Sequence, residues 1–131
     1  MQKIKYEKLN ARQKETYNFQ KVSAVFADFG FTTIKLSDDW LGSDFIAISF
    51  DGAKYLKVQL KSRLSFYKKY KGKGIFICFF DRPTNRWYLY PHDKVLNKLP
   101  GIADYVERKD GYSCGNLSEG AERALKPYIF E

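Results

Sequence analysis

The stretch DFIAISFDGAKYLKVQLK, residues 44–61, holds two β-rich runs on either side of Asp51-Gly52. An Asp-Gly pair between apolar runs is a strong hairpin signal, because both residues tolerate the positive φ of a tight turn. The pattern predicts strands over Asp44–Phe50 and Tyr55–Lys61. On the second strand Leu56, Val58 and Leu60 alternate with Lys57, Gln59 and Lys61, so one face is apolar and the other polar. Folding the hairpin about Gly52 brings Asp44 near Leu60, with Gln59 and Lys61 on either side. An acid at the start of one strand then meets an amide and an ammonium group at the end of its neighbour.

Those three groups can work together. Asp44 offers a hard carboxylate oxygen to a divalent cation, and the Gln59 carbonyl offers a weaker, neutral one. Such a cation polarises a phosphodiester and lowers the pKa of water. Lys61 can orient that water or stabilise charge in the transition state. The plainer alternative is a cross-strand surface pair of Asp44 and Lys61, with Gln59 a solvated neighbour.

Upstream, Asn10–Phe29 reads as a helix. Asn10 caps it and Gln13 follows three residues later, as in a capping box. Phe19, Val22, Phe26 and Phe29 form an apolar stripe, and Gly30 closes the helix. Extending the stripe back four residues reaches Glu15. That acid either points toward the end of the hairpin or sits exposed in the first turns, where the helix dipole favours it. Phe31–Leu36 reads as a strand and Ser37–Ser43 as a loop. Downstream, Ser62–Lys73 reads as a loop or irregular helix. Ile75–Phe80 is a continuous apolar run fit for a strand buried on both faces. Arg86–Tyr90 is a further strand, and a short helix opens at Pro91-His92-Asp93 and runs to about Leu99. Gly101–Asn116 fits no single pattern, and Ser118–Leu125 is a helix capped by Ser118. The order predicts a mixed sheet with helices packed on it.

The chain's 131 residues fit one domain, 1–131, and 44% hydrophobic residues suffice for a core. Lys and Arg number 23 against 15 Asp and Glu, a net charge of +8. From Gly52 to Phe80 there is no acid but eight basic residues, which leaves fifteen of each sign elsewhere. The whole excess therefore lies in one segment, interleaved with Tyr55, Phe66, Tyr67 and Tyr70. Clustered cations among aromatic rings suit phosphates and bases, and predict nucleic-acid contact through Arg63, Lys68, Lys69, Lys71 and Lys73. The alternative is a solvated loop.

Cys78 and Cys114 show no metal spacing, and Cys78 in GIFICFF reads as a buried thiol. Neither a signal peptide nor a membrane-spanning run is visible, so a cytoplasmic protein is expected. His92 reads as a capping or turn residue rather than a general base, the Asp38-Asp39 pair as solvated loop acids rather than a metal ligand near Asp44, and Trp40 and Trp87 as core or interface residues. Ser62 and Arg63 directly follow the hairpin and lie within reach of a phosphate.

Asp44, a hairpin of about fifteen residues and then Gln59-Leu60-Lys61 resemble the PD-(D/E)xK nuclease superfamily. That pattern is an acid at one strand and acid-x-Lys on the next, with a Glu from the preceding helix in many members. The stretch GSDFIAI…YLKVQLKSR is most similar to compact branches such as archaeal Holliday-junction resolvases and small restriction or homing endonucleases. The resemblance covers Asn10–Phe80 and implies the restriction-endonuclease-like fold, a three-layer α/β/α arrangement around a central mixed sheet. It also implies hydrolysis of DNA phosphodiesters with Mg²⁺, or Mn²⁺ in its place. Asp44 is then the main metal ligand, Gln59 the variable ligand, Lys61 the catalytic lysine and Glu15 an auxiliary ligand or base. Cutting both strands of a duplex or junction needs two active sites, hence a homodimer.

Two positions and one element depart from the family pattern. Ser43 precedes Asp44 where the family carries proline, and Gln59 stands where it carries Asp or Glu. The helix of the family core that follows the third strand is short or missing. A neutral amide binds Mg²⁺ less strongly than a carboxylate. Gln59 therefore keeps a second reading in play, a non-catalytic nucleic-acid-binding or assembly subunit that retains a nuclease fold. A third is a protein-interaction module whose lysines meet an acidic partner.

Overall fold

The computed structural model describes residues 1–40 and 42–131, with Asp39 and Trp40 described by backbone alone. A short 3₁₀ turn, Tyr6–Lys8, precedes helix α1, Ala11–Asp28. Both halves of the capping box form: Asn10 Oδ1 accepts from Gln13 N–H at 2.8 Å, and Gln13 Oε1 accepts from Asn10 N–H at 2.9 Å. Gly30 takes φ +78° just past the helix, as a glycine there can without strain. Strands β1 (Phe31–Trp40), β2 (Ser43–Ser49) and β3 (Tyr55–Lys61) follow as an antiparallel meander.

The expected loop at Ser37–Ser43 is largely strand. Strand β1 runs on to Trp40, which pairs with Ser43, and the register shifts between Lys35 and Trp40. Such an irregularity lets polar residues extend a strand where strict alternation would end it. Leu41 and the side chains of Asp39 and Trp40 lie outside the described residues.

After β3 the basic segment forms strand β4 (Leu64–Tyr67) and a 3₁₀ turn over Lys68–Tyr70. The expected loop or irregular helix is therefore corrected. Leu64, Phe66 and Tyr70 are buried, and β4 pairs with a strand some forty residues further along. No α-helix joins β3 to the next strand, as the basic connection suggested. Strand β5 (Ile75–Asp81) lies parallel to β3, and β6 (Arg86–Pro91) antiparallel to β5. Then come α2 (His92–Leu96), α3 (Pro100–Lys109), β7 (Gly111–Cys114) and α4 (Glu119–Leu125). The Ser118 hydroxyl caps α4 by accepting from Ala121 N–H. The patternless stretch thus contains a helix and the partner strand of β4.

The main sheet has the order β1-β2-β3-β5-β6, and its single parallel pair makes it mixed. Alternating side chains feed two cores. On one face Val22 and Phe26 of α1 pack against Phe45, Ala47, Val58 and Cys78. On the other, Ile75, Ile77, Phe79 and Tyr90 pack beneath the β4–β7 ribbon and the three later helices. These make the expected three layers, α/β/α, with a two-stranded ribbon built into the outer one. Cys78 is buried and unpaired, and burial pushes its thiol pKa up. Trp87 is a core residue. No helix among the described residues is long and apolar enough to cross a membrane.

Candidate active site

The ladder between β2 and β3 ends at Phe45 opposite Val58. One step further, Asp44 lies across from Gln59, one residue from the position folded about Gly52. Cross-strand partners share a face, so the acid and the amide stand side by side. The Asp44 carboxylate replaces the next ladder acceptor: its Oδ2 accepts from Leu60 N–H at 2.9 Å. This bond fixes the orientation of the acid relative to the β3 backbone.

A cavity of about 530 Å³ opens at this end of the hairpin. Asp44, Gln59 and Lys61 line it, as does Glu15 of α1. The four residues singled out in sequence are thus brought together around one space. Side chains from both sheet faces reach it because it sits where β2 begins and β3 ends. Glu15 is exposed at the end of its helical stripe and also borders the cavity. Its two sequence readings therefore hold together.

Gln59 is 7% exposed, and its Oε1 is buried without a hydrogen-bond partner among the described residues. A buried carbonyl oxygen left unpaired costs about 1–3 kcal/mol, and such atoms are rare in folded proteins. Beside a carboxylate, it is the arrangement a hard cation would complete. Among the described residues no group of three or more His, Cys, Asp or Glu side chains could hold a metal. The donor set here is leaner, namely Asp44, the Gln59 amide oxygen and Glu15. It fits Mg²⁺, which keeps several waters and uses only one or two carboxylates plus substrate oxygens.

Lys61 ends at the rim. Its Nζ lies 4.8 Å from the Tyr67 ring centroid and 5.5 Å from that of Tyr70. Lys69 approaches the same rings at 5.7 and 5.3 Å. Two ammonium groups thus share a tyrosine pair, whose ring faces attract a cation. Tyr67 and Tyr70 come from the segment that the charge pattern marked out.

Other lining residues escaped the sequence reading. Lys14 stands beside Glu15 on α1, on the face that includes Ala11 and Asn18. Their i, i+3, i+4, i+7 spacing was the available signal. Lys35 and Asp38 of β1 also line the cavity, and Asp38 is exposed, as expected, but on a strand rather than in a loop. Lys35 pairs with Phe45 just before the register shift of β1, and Asp38 lies within it. The side chain of Asp39 lies outside the described residues. With Lys14, Lys35 and Lys61 against Glu15, Asp38 and Asp44, the lining is balanced in charge.

Of the five residues expected to touch nucleic acid, two are engaged elsewhere. Lys68 lies 3.5 Å from Glu107 Oε2, and Lys71 hydrogen-bonds Glu107 Oε1. The Lys71 bond draws the Glu107 carboxyl pKa below its usual value. Arg63, Lys69 and Lys73 are exposed. His92 lies outside the cavity and braces the crossover. It is buried, with Nε2 accepting from Tyr67 N–H at 3.0 Å and Nδ1 2.7 Å from Asp93 Oδ1. As Nε2 is an acceptor, the ring proton sits on Nδ1 and is donated to Asp93. Burial lowers the pKa of the imidazole, which keeps it neutral. It is thus neither a side-chain cap nor a base of the cavity.

Neither a family model nor a curated protein matches the sequence. Among solved structures the chain is similar to Hjc, a Holliday junction resolvase from the archaeal hyperthermophile Archaeoglobus fulgidus. That match has a TM-score of 0.44 and 14% identity, over 58% of this chain and 76% of that one. So distant a likeness carries no functional argument, and the reading of the cavity rests on its own residues.

Proposed function

We propose that this chain is a metal-dependent DNA endonuclease acting as a homodimer. The observation that carries the proposal is the orphaned Gln59 Oε1, buried across from Asp44 in a cavity that Glu15 and Lys61 also line. Asp44 and Gln59 would hold Mg²⁺ or Mn²⁺, with Glu15 as auxiliary ligand or base. Such an ion supplies electrophilic activation of the phosphodiester and of the attacking water. Leu60 N–H keeps the Asp44 carboxylate aimed, so no reorganisation is needed when the site fills. Lys61 lies over Tyr67 and Tyr70 and would stabilise negative charge building on the phosphate. Arg63, Lys69 and Lys73 hold the flanking backbone, and Lys68 and Lys71 add to the positive field where Glu107 leaves it uncompensated.

A second reading has an observation of its own. The set offers two acids and an amide in a charge-balanced cavity, with no cluster of three ligating His, Cys, Asp or Glu side chains among the described residues. That favours a subunit that binds nucleic acid without cutting it. One experiment separates the two. Plasmid, single-stranded and four-way-junction DNA are incubated with Mg²⁺, Mn²⁺ or chelator, beside Asp44→Ala and Lys61→Ala. The nuclease reading expects metal-dependent cleavage that each variant lowers by about 100-fold or more. Equal cleavage by all three proteins would remove the site assignment, and binding without cutting would favour the second reading.

A further inference from the structure

A second cleft, of about 570 Å³, lies on the outer layer between Tyr67, Tyr105 and Tyr112, with Lys109 and Asp110 at its edge. We propose that it receives an unpaired base of a DNA strand whose scissile phosphate lies at Lys61, so that the substrate carries single-stranded nucleotides beside the cut. The proposal rests on the nucleic-acid reading of the first cavity and names the form of DNA that it takes.

Three observations converge on it. Tyr67 and Tyr112 are half-buried against the core and line the cleft beside the exposed ring of Tyr105. Tyr105 is 41% exposed and meets Tyr112 edge-to-face at 5.9 Å. Cations surround them: Arg108 lies 5.8 Å from the Tyr105 ring, Lys69 lies 5.7 Å from Tyr67, and Lys109 lines the cleft. Against these stands Asp110, while Glu107 on the same helix is turned to Lys68 and Lys71. Aromatic platforms set among cations hold single strands, since every base has a stackable face and every linkage a charge. Finally, one contact links the cleft to the first cavity. Tyr67 lines the cleft, and Lys61, which lines the cavity, lies 4.8 Å from that ring. A strand leaving Lys61 passes over Tyr67 into the cleft. A fully paired duplex keeps its bases stacked on one another and has none to place there.

The test is binding measured by fluorescence anisotropy in chelator, so that it does not depend on cutting. The probes are a labelled oligothymidine and a duplex closed by hairpins at both ends. Tyr105→Ala should weaken oligothymidine binding by about 5- to 100-fold, as expected for one lost stacking platform. Tyr105→Phe should bind as wild type does, and closed-duplex binding should not change. Lys109→Gln, which leaves every ring in place, should lower single-strand affinity and reduce its salt slope by about 0.7. Unchanged oligothymidine binding in Tyr105→Ala and Lys109→Gln overturns the cleft, and so does an equal loss on both probes. The two readings fail separately. Cleavage with Tyr105-independent binding removes the cleft alone, whereas Tyr105-dependent binding without cleavage removes the nuclease alone.

Discussion

Gln59 is the residue on which the site turns. Its Oε1 destabilises the metal-free fold because it is buried without a partner. Gln59→Leu should therefore raise the stability of the metal-free protein by about 1 kcal/mol. The same change should abolish any rise in melting temperature on adding Mg²⁺, while Gln59→Glu should shift the Mg²⁺ titration to lower concentration. Differential scanning fluorimetry across a Mg²⁺ series reads all three, and an undiminished Mg²⁺ response in Gln59→Leu would exclude the residue as a ligand. Asp44, Gln59 and Lys61 could be placed from sequence because strand alternation and one turn position all three. The burial of Gln59 could not, since it depends on the finished layers on this face of the sheet, which include β7 and the later helices. Asp38 was expected in a loop because the register shift that carries β1 on to Trp40 has no local signature.

At the scale of elements, the hairpin and α1 were legible because their signals are local, as the Asn10–Gln13 capping box and the Asp51-Gly52 turn illustrate. Asn10→Ala should cost about 1 kcal/mol in chemical denaturation. The β4–β7 ribbon was not legible, since neither strand is marked without the other. Gly111 is its tightest point. A Cβ there would lie 2.5 Å from the Tyr67 ring, so Gly111→Ala should destabilise the protein by roughly 1–3 kcal/mol. It would also shift the ring that carries Lys61. His92 holds the same ribbon from behind. Its folded pKa lies below its ordinary value of 6.5, so above that value it is neutral whether the chain is folded or not. As the pH falls below 6.5 the unfolded chain takes up the proton first, and stability is lost until the folded pKa is reached. Denaturation midpoints between about pH 7.5 and pH 5 should therefore fall in wild type and stay flatter in His92→Gln. Equal slopes would remove His92 as the cause.

For the whole molecule, the two layers on the sheet are unequal. The outer layer covers β5 and β6, and among the described residues Ile34, Ile46, Ile48 and Tyr55 belong to neither core. Ile34 pairs with Ile46, and Ile48 with Tyr55, so they form one apolar face, with Tyr55 62% exposed. A two-fold partner in the proposed homodimer would cover this face. Light scattering should then give a dimeric mass for wild type and a monomeric one for Ile34→Glu. A monomeric wild type at micromolar concentration would rule the dimer out. Sequence alternation makes these isoleucines look like core, and only the finished topology shows that no helix covers them.

The pairing of β4 with β7 also sets an order of events during synthesis. On the ribosome, α1 and the β1–β3 meander can assemble from neighbouring residues as they emerge. Tyr67 and Tyr70 follow soon after, but the strand that holds their segment, Gly111–Cys114, is made some forty residues later. The acids that would hold a metal are therefore in place well before the lysine opposite them has its tyrosine support. The site stays half-built until Gly111–Cys114 has been made.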